Sequence, residues 1–178
     1  MEHGKCPAGL REVDGRELVD HIRALRRYAR VLIGSPADAD DLVQETLKRA
    51  LLYIDGASRI DNLRAYLFRI LHNARNDALK QRLAAGTPVP VEEARLLAVE
   101  LPQVDRIACR QVVDAIQCLS EEHRRVILLV AVEGMSYREA AEALDLPVGT
   151  VMSRLNRARA ALRATLGMEG ALELGAGS

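Results

Sequence analysis

The chain has no tryptophan, a single phenylalanine and four tyrosines, so aromatic residues are 3% of its 178 positions. β-Branched runs are short as well, whereas Ala, Leu, Arg and Glu abound, a balance that argues against sheets and for helices. Cys6, Cys109 and Cys118 are an odd set without CxxC spacing, which excludes a disulfide framework and favours reduced thiols in a reducing compartment. Cys109 and Cys118, nine apart on one expected helix, would point in opposite directions. His3 and Cys6 suggest a zinc site only weakly, and no metal is expected. Long apolar runs are missing too. The longest, VILLVAV at 126–132, is far below a membrane span, and MEHGKCPAGL holds no signal-peptide core. The expectation is a cytoplasmic protein without membrane insertion. The four histidines, His3, His21, His72 and His123, are not paired with any motif-spaced nucleophile or metal ligand, so the chain does not read as an enzyme and calls for no cofactor. Net charge is absent as well, with 25 basic against 25 acidic residues. Any attraction for a polyanion must therefore come from local clustering.

What is present is helical periodicity in two blocks. Residues 14–83 carry it with breaks at GSP and DGASRIDN, and it resumes over 106–166. Between them AAGTPVPVEEARLLAVELPQVD, residues 84–105, has three prolines and four acids against one arginine, the composition of a linker. Residues 1–13 form an N-terminal arm and 167–178 a small polar tail expected to fray. The pattern predicts an all-α fold of two small helical domains joined by a flexible linker.

The clearest local signal is SYREAAEALDLPVGTVMSRLNRARAALR, residues 136–163. Ser136 followed by Glu139 is a capping box, so a short helix should start at Tyr137 and bury Ala140, Ala141 and Leu144. Asp145 and Leu146 make a turn, and Pro147 suits the first turn of a second helix. There Val148, Val151, Leu155, Ala158 and Leu162 share one arc, while Thr150, Ser153, Arg154 and Arg157 share the opposite one. Arg154, Arg157, Arg159 and Arg163 have no acid among them. This is a helix-turn-helix with a polar, basic front, the shape that enters a major groove and reads base edges. A solvated basic face on a helical hairpin is the plain alternative.

In the N-terminal block, SPADADDLVQETLKRAL places Ser35 at an N-cap, Pro36 at the first helical position and Asp38 three beyond the cap. Its expected buried arc is Leu42, Val43, Thr46, Leu47, Ala50, Leu51 and Ile54. The acids Asp38, Asp40, Asp41 and Glu45 crowd its first turns, which the helix dipole alone would favour. The following helix is expected to bury Leu63, Tyr66, Leu67, Ile70, Leu71, Ala74 and Ala78. Arg64, Arg69, His72, Arg75, Asn76, Lys80 and Arg82 take its other side, with Phe68 among them. Basic groups with an interleaved aromatic suit a nucleic-acid strand whose bases stack, although Phe68 also reads as an edge-of-core residue.

Taken together, DADDLVQETLKRAL, NLRAYLFRILHNARNDALKQR, the linker and LSEEHRRVILLVAVEGMSYREAAEALDLPVGTVMSRLNRARAALR resemble the bacterial RNA polymerase sigma factors of the extracytoplasmic-function subfamily. The resemblance covers residues 14–166. It implies a first domain that binds the clamp of core RNA polymerase and opens the −10 promoter element, and a second that reads the −35 element and meets the polymerase flap. Asp41, Leu42, Gln44 and Glu45 match the polymerase-binding helix. The loop from Asp55 to Asn62 matches the one that captures an unstacked base, so Asp61, Asn62, Arg64, Phe68, Arg75 and Asn76 form the −10 set. Met152, Ser153, Asn156 and Arg157 match the −35 reading positions, with Arg138, Arg154 and Arg159 as phosphate contacts. Most members have tryptophan where this chain has Tyr66. The resemblance also implies promoter DNA and an anti-sigma factor as partners. Two rival readings remain: a sigma-like mimic that sequesters an anti-sigma factor, and a conventional dimeric helix-turn-helix regulator. The second leaves the acidic and basic N-terminal helices unexplained. Members of the first kind usually carry a receiver domain, whose α/β pattern is missing from these 178 residues.

Overall fold

The computed structural model describes residues 16–54, 60–84 and 106–167. His3, Cys6, the loop residues Asp55–Arg59, most of the expected linker and the tail beyond Gly167 lie outside the described residues, as do the side chains of Ile54, Leu83 and residues 106–109. Among the described residues there are seven α-helices: α1 Glu17–Ile33, α2 Pro36–Ile54, α3 Leu63–Ala84, α4 Arg106–Gln117, α5 Glu121–Ile127, α6 Tyr137–Leu144 and α7 Val148–Thr165.

Helix boundaries follow local chemistry. α1 ends where Gly34 takes the left-handed conformation at φ 86° and returns its N–H to Arg30 O at 2.8 Å. Ser35 Oγ then accepts from Asp38 N at 3.4 Å and opens α2. Asn62 does the same for α3, its Oδ1 accepting from Ala65 N at 3.0 Å. α5 runs without a break into a π-helical turn, Leu128–Val132, in which Glu133 N donates to Leu128 O at 2.9 Å. This widened turn sends the Glu133 side chain inward, where it is fully buried.

α1, α2 and α3 pack together, and α4, α5, α6 and α7 form a second group. The two groups are not separate. α6 lies along α3, and α4 and α5 touch α1, so one buried apolar cluster runs from Leu18 to Ala158. The last carbonyls of α1, which a helix end leaves without intrahelical partners, are met across this boundary. Gln117 Nε2 donates to Val31 O at 3.1 Å and Arg124 Nη1 to Leu32 O at 3.4 Å.

That packing changes several expected faces. α3 is covered from two sides, so Ala65, Phe68 and His72 are buried along with the expected Leu63, Leu67, Ile70, Leu71 and Ala74. Phe68 has no exposed surface and sits edge-on to Tyr28, ring centroids 5.1 Å apart. It is a core residue and leaves the −10 set. His72 likewise belongs to the core: its Nε2 lies 2.9 Å from Tyr28 Oη. Ala78, expected inside, is exposed, as are Leu51 at the end of α2 and Val148 at the start of α7. Cys118 falls in the turn after α4 rather than on that helix, exposed and unpaired. Pro147 precedes α7 by one residue, in extended conformation.

Candidate nucleic-acid interface

The helix-turn-helix is built as its residue types require. Ser136 Oγ accepts from Glu139 N at 3.2 Å, while Glu139 Oε2 accepts from Ser136 N at 2.8 Å, closing the capping box of α6. Asp145 takes the left-handed conformation at φ 53°, tolerable for a short polar side chain, and Leu146 N donates to Ala141 O at 3.0 Å. Behind α7, Val151, Leu155 and Ala158 are buried. In front, Met152, Ser153, Asn156, Arg157 and Arg159 are exposed, and so is Arg138 on α6. Arg154 differs: its Nη2 lies 3.0 Å from Glu122 Oε2, and its side chain is 23% exposed. The basic front therefore carries one arginine already paired and a run of open ones.

On α2, Asp41 and Gln44 face solvent and Leu42 is 8% exposed. Glu45 Oε1 accepts from Arg49 Nε at 2.7 Å, and this hydrogen bond holds the carboxyl below its usual range. Asp38 pairs with Arg82 at 3.2 Å and Asp40 with Arg26 at 3.5 Å. A groove of about 340 Å³ runs beside these acids, with Leu42, Ala74 and Leu79 as apolar lining and Asp41 and Glu45 among its polar residues.

The −10 set is not open. Asp61 is exposed, but Arg64 donates to Glu133 O and lies 3.6 Å from Glu133 Oε2. Arg75 Nη2 donates to Glu121 Oε2 at 3.0 Å, Asn76 Oδ1 accepts from Arg125 Nη2 at 3.2 Å, and Asn62 Nδ2 donates to Glu139 Oε1 at 3.2 Å. Every one of these partners comes from the second group of helices. Sequence periodicity missed a different exposed cluster. Tyr53 and Tyr66 pack with centroids 5.1 Å apart and ring planes tilted by 39°, and the Arg69 guanidinium lies 5.3 Å from the Tyr66 centroid. Partial burial raises the Tyr66 pKa. The apolar run LLYI at 51–54, directly before the loop, is the signal that could have found it.

Among the described residues no group of His, Cys, Asp and Glu is arranged to hold a metal ion, and no helix is long and apolar enough to cross a membrane. The arrangement defines an all-helical DNA-binding protein: a helix-turn-helix behind one open basic face, and an acid-led helix on a second helical group. Comparison with known proteins narrows that class. A family described as Sigma-70, region 4 matches residues 109–162, and the Sigma2 domain of PhyR matches residues 18–72. The chain is 35% identical over 159 residues to the ECF RNA polymerase sigma factor EcfG of Rhodopseudomonas palustris, covering 89% of this chain and 88% of that one. With the ECF sigma factor SigL of Mycobacterium tuberculosis it shares 36% identity, covering 83% and 85%. Among solved structures, the sigma factor RpoE of Bartonella quintana, crystallised with the anti-sigma factor NepR, superposes with a TM-score of 0.73 at 29% identity, covering 87% of this chain and 97% of that one. The chain belongs to the extracytoplasmic-function family of RNA polymerase sigma factors.

Proposed function

We propose that residues 14–83 act as the region that binds core polymerase and the −10 element, and residues 106–166 as the region that binds the −35 element and the flap. Asp41, Leu42, Gln44 and Glu45, beside the groove on α2, receive the polymerase clamp; the exposure of Asp41 and Gln44 supports this. Asp61, Asn62, Arg64, Arg75 and Asn76 meet the −10 strands, and the Tyr53–Tyr66–Arg69 cluster offers the aromatic surface for an unpaired base that Phe68 cannot. Met152, Ser153, Asn156 and Arg157 read the −35 element, with Arg138, Arg154 and Arg159 on phosphates. The observation that carries the reading is the open outward face of α7 behind a fully capped turn. An anti-sigma factor is the further partner, supported by the likeness to a sigma factor solved with one.

A second reading has its own support: the match of residues 18–72 to the Sigma2 domain of PhyR leaves room for a protein that sequesters an anti-sigma factor. Purified chain added to core RNA polymerase separates the two. The expected result is initiation from a defined set of genomic promoters. Tight binding to core enzyme with no initiation on any template overturns the first reading in favour of the mimic.

A further inference from the structure

Glu121, Glu133 and Glu139 come from three different places in the second helical group: the start of α5, the end of the π-helical turn and the first turn of α6. Glu121 and Glu133 reach Arg75 and Arg64 on α3, and Glu139 reaches Asn62 directly before it. Glu121 meets Arg75 at 3.0 Å and also accepts from Arg125. Glu133 receives both Arg27 Nε at 2.9 Å and Arg27 Nη2 at 2.7 Å, a two-pronged pair, with Arg64 Nη2 3.6 Å from its Oε2. Glu139 spends one oxygen on its own helix cap and the other on Asn62.

A carboxylate and a phosphate present the same face to arginine: a planar or tetrahedral pair of anionic oxygens that accepts two parallel N–H donors. We infer that these three glutamates stand in for DNA phosphates on the α3 face, so that the second helical group of this chain competes with its own promoter for Arg64, Arg75 and Asn62. The inference rests on the reading of α3 as the −10 face. The competition is geometric as well as electrostatic. Glu133 is 5% exposed and the Arg75 side chain 18% exposed, so a strand cannot reach these groups until the second helical group, α5 and the π-helical turn as well as α6, lifts from α3. The restraint is also reversible by construction. The desolvation of such pairs offsets much of their attraction, whereas a strand that gathers several phosphate contacts also releases its counterions.

The test uses the full chain with Glu121→Gln and Glu139→Gln together. Both changes keep shape; glutamine serves a capping box as glutamate does, and the buried Glu133 is left alone. Asp20→Asn with Asp114→Asn, two exposed residues outside the contacts of Glu121, Glu133 and Glu139, makes a control of equal net charge. The readouts are the radius of gyration by small-angle X-ray scattering and fluorescence anisotropy of a short random-sequence single-stranded DNA without polymerase. The glutamine pair should expand the molecule and bind the strand about tenfold more tightly than the control, and adding Arg64→Ala should remove the gain. Unchanged dimensions together with control-level affinity overturn the closure. Expansion without any gain in affinity overturns the surrogate role and places the failure in the −10 assignment of α3.

Discussion

Arg154 and Arg157 lie three positions apart on α7 and have unlike surroundings, because Glu122 holds the first and nothing covers the second. If Arg157 forks onto a base, Arg157→Ala costs about 1–3 kcal/mol at the −35 element and relaxes preference there. Arg154→Ala should weaken matched and scrambled duplexes by the same factor. Anisotropy titrations of both duplexes check this; changes in melting temperature with unchanged DNA affinity would reduce the basic front to a solvated face. His72 makes a different prediction. Burial, with Arg125 and Arg75 nearby, depresses its pKa from 6.5 to about 3, and its Nδ1 has no hydrogen-bond partner. The unfolded chain thus binds a proton that the folded chain refuses, so the contribution is complete above about pH 6.5 and falls by about 1.4 kcal/mol per unit as pH drops toward the folded pKa. His72→Gln, which can still bond Tyr28 Oη but cannot ionise, should flatten urea stability between pH 6.5 and 5; an unaltered slope excludes His72 as its source. His72 was not legible as core and Phe68 only as an edge-of-core alternative, since counting 100° per residue assumes one buried side and α3 has two.

Caps and turns were legible because their causes are local. Ser35, Pro36, Ser136, Glu139 and Asp145 each satisfy or bend backbone within four residues of themselves, and the helices start where those residues say. The π-helical turn was not, for VILLVAV reads equally well as ordinary helix, and what distinguishes it is the Glu133 N to Leu128 O hydrogen bond and the inward-facing Glu133 it produces. The acid-led α2 has two meanings that local rules cannot separate. Arg49 keeps Asp77 at 2.9 Å whatever happens to Glu45, and Asp41 is exposed, so Asp41→Asn with Glu45→Gln should leave thermal stability nearly unchanged. If the polymerase clamp docks there, affinity for core enzyme falls at least about tenfold. Titration of labelled chain with core polymerase decides it, and unchanged affinity removes both residues from the interface.

The division into two helical groups was readable from composition, but their contact was not, because Arg27–Glu133 spans 106 positions and Arg75–Glu121 spans 46. The resemblance implies an anti-sigma factor as partner; in the closure inferred above, the packing supplies part of such a restraint from within. Productive binding has the opposite demand. Two promoter elements nearly two duplex turns apart, at roughly 34–36 Å per turn, lie on the order of 60 Å from each other. The 21 residues from Ala85 to Asp105, after the end of α3, reach about 70–75 Å when fully extended. Removing Pro88 to Val99 should therefore leave each helical group folded and able to bind its own target, yet abolish initiation in vitro at promoters that need both elements. Full activity from that deletion shows that the chain does not span the promoter in this way.

The shared core also makes the order of synthesis matter. Translation at roughly 5–20 residues per second delivers α1–α3 on the order of seconds before Glu121, Glu133 and Glu139 are made. During that interval the newborn α3 has no α6 against it, and the carbonyls of Val31 and Leu32 have neither Gln117 nor Arg124. A chain arrested on the ribosome with α3 just emerged should be cut by protease faster, and should hold single-stranded DNA more firmly, than the same helices in the finished protein. On the inferred closure, the direction of synthesis thus opens a brief window in which this sigma factor is uncovered, and helices made after α3 are the ones that shut it.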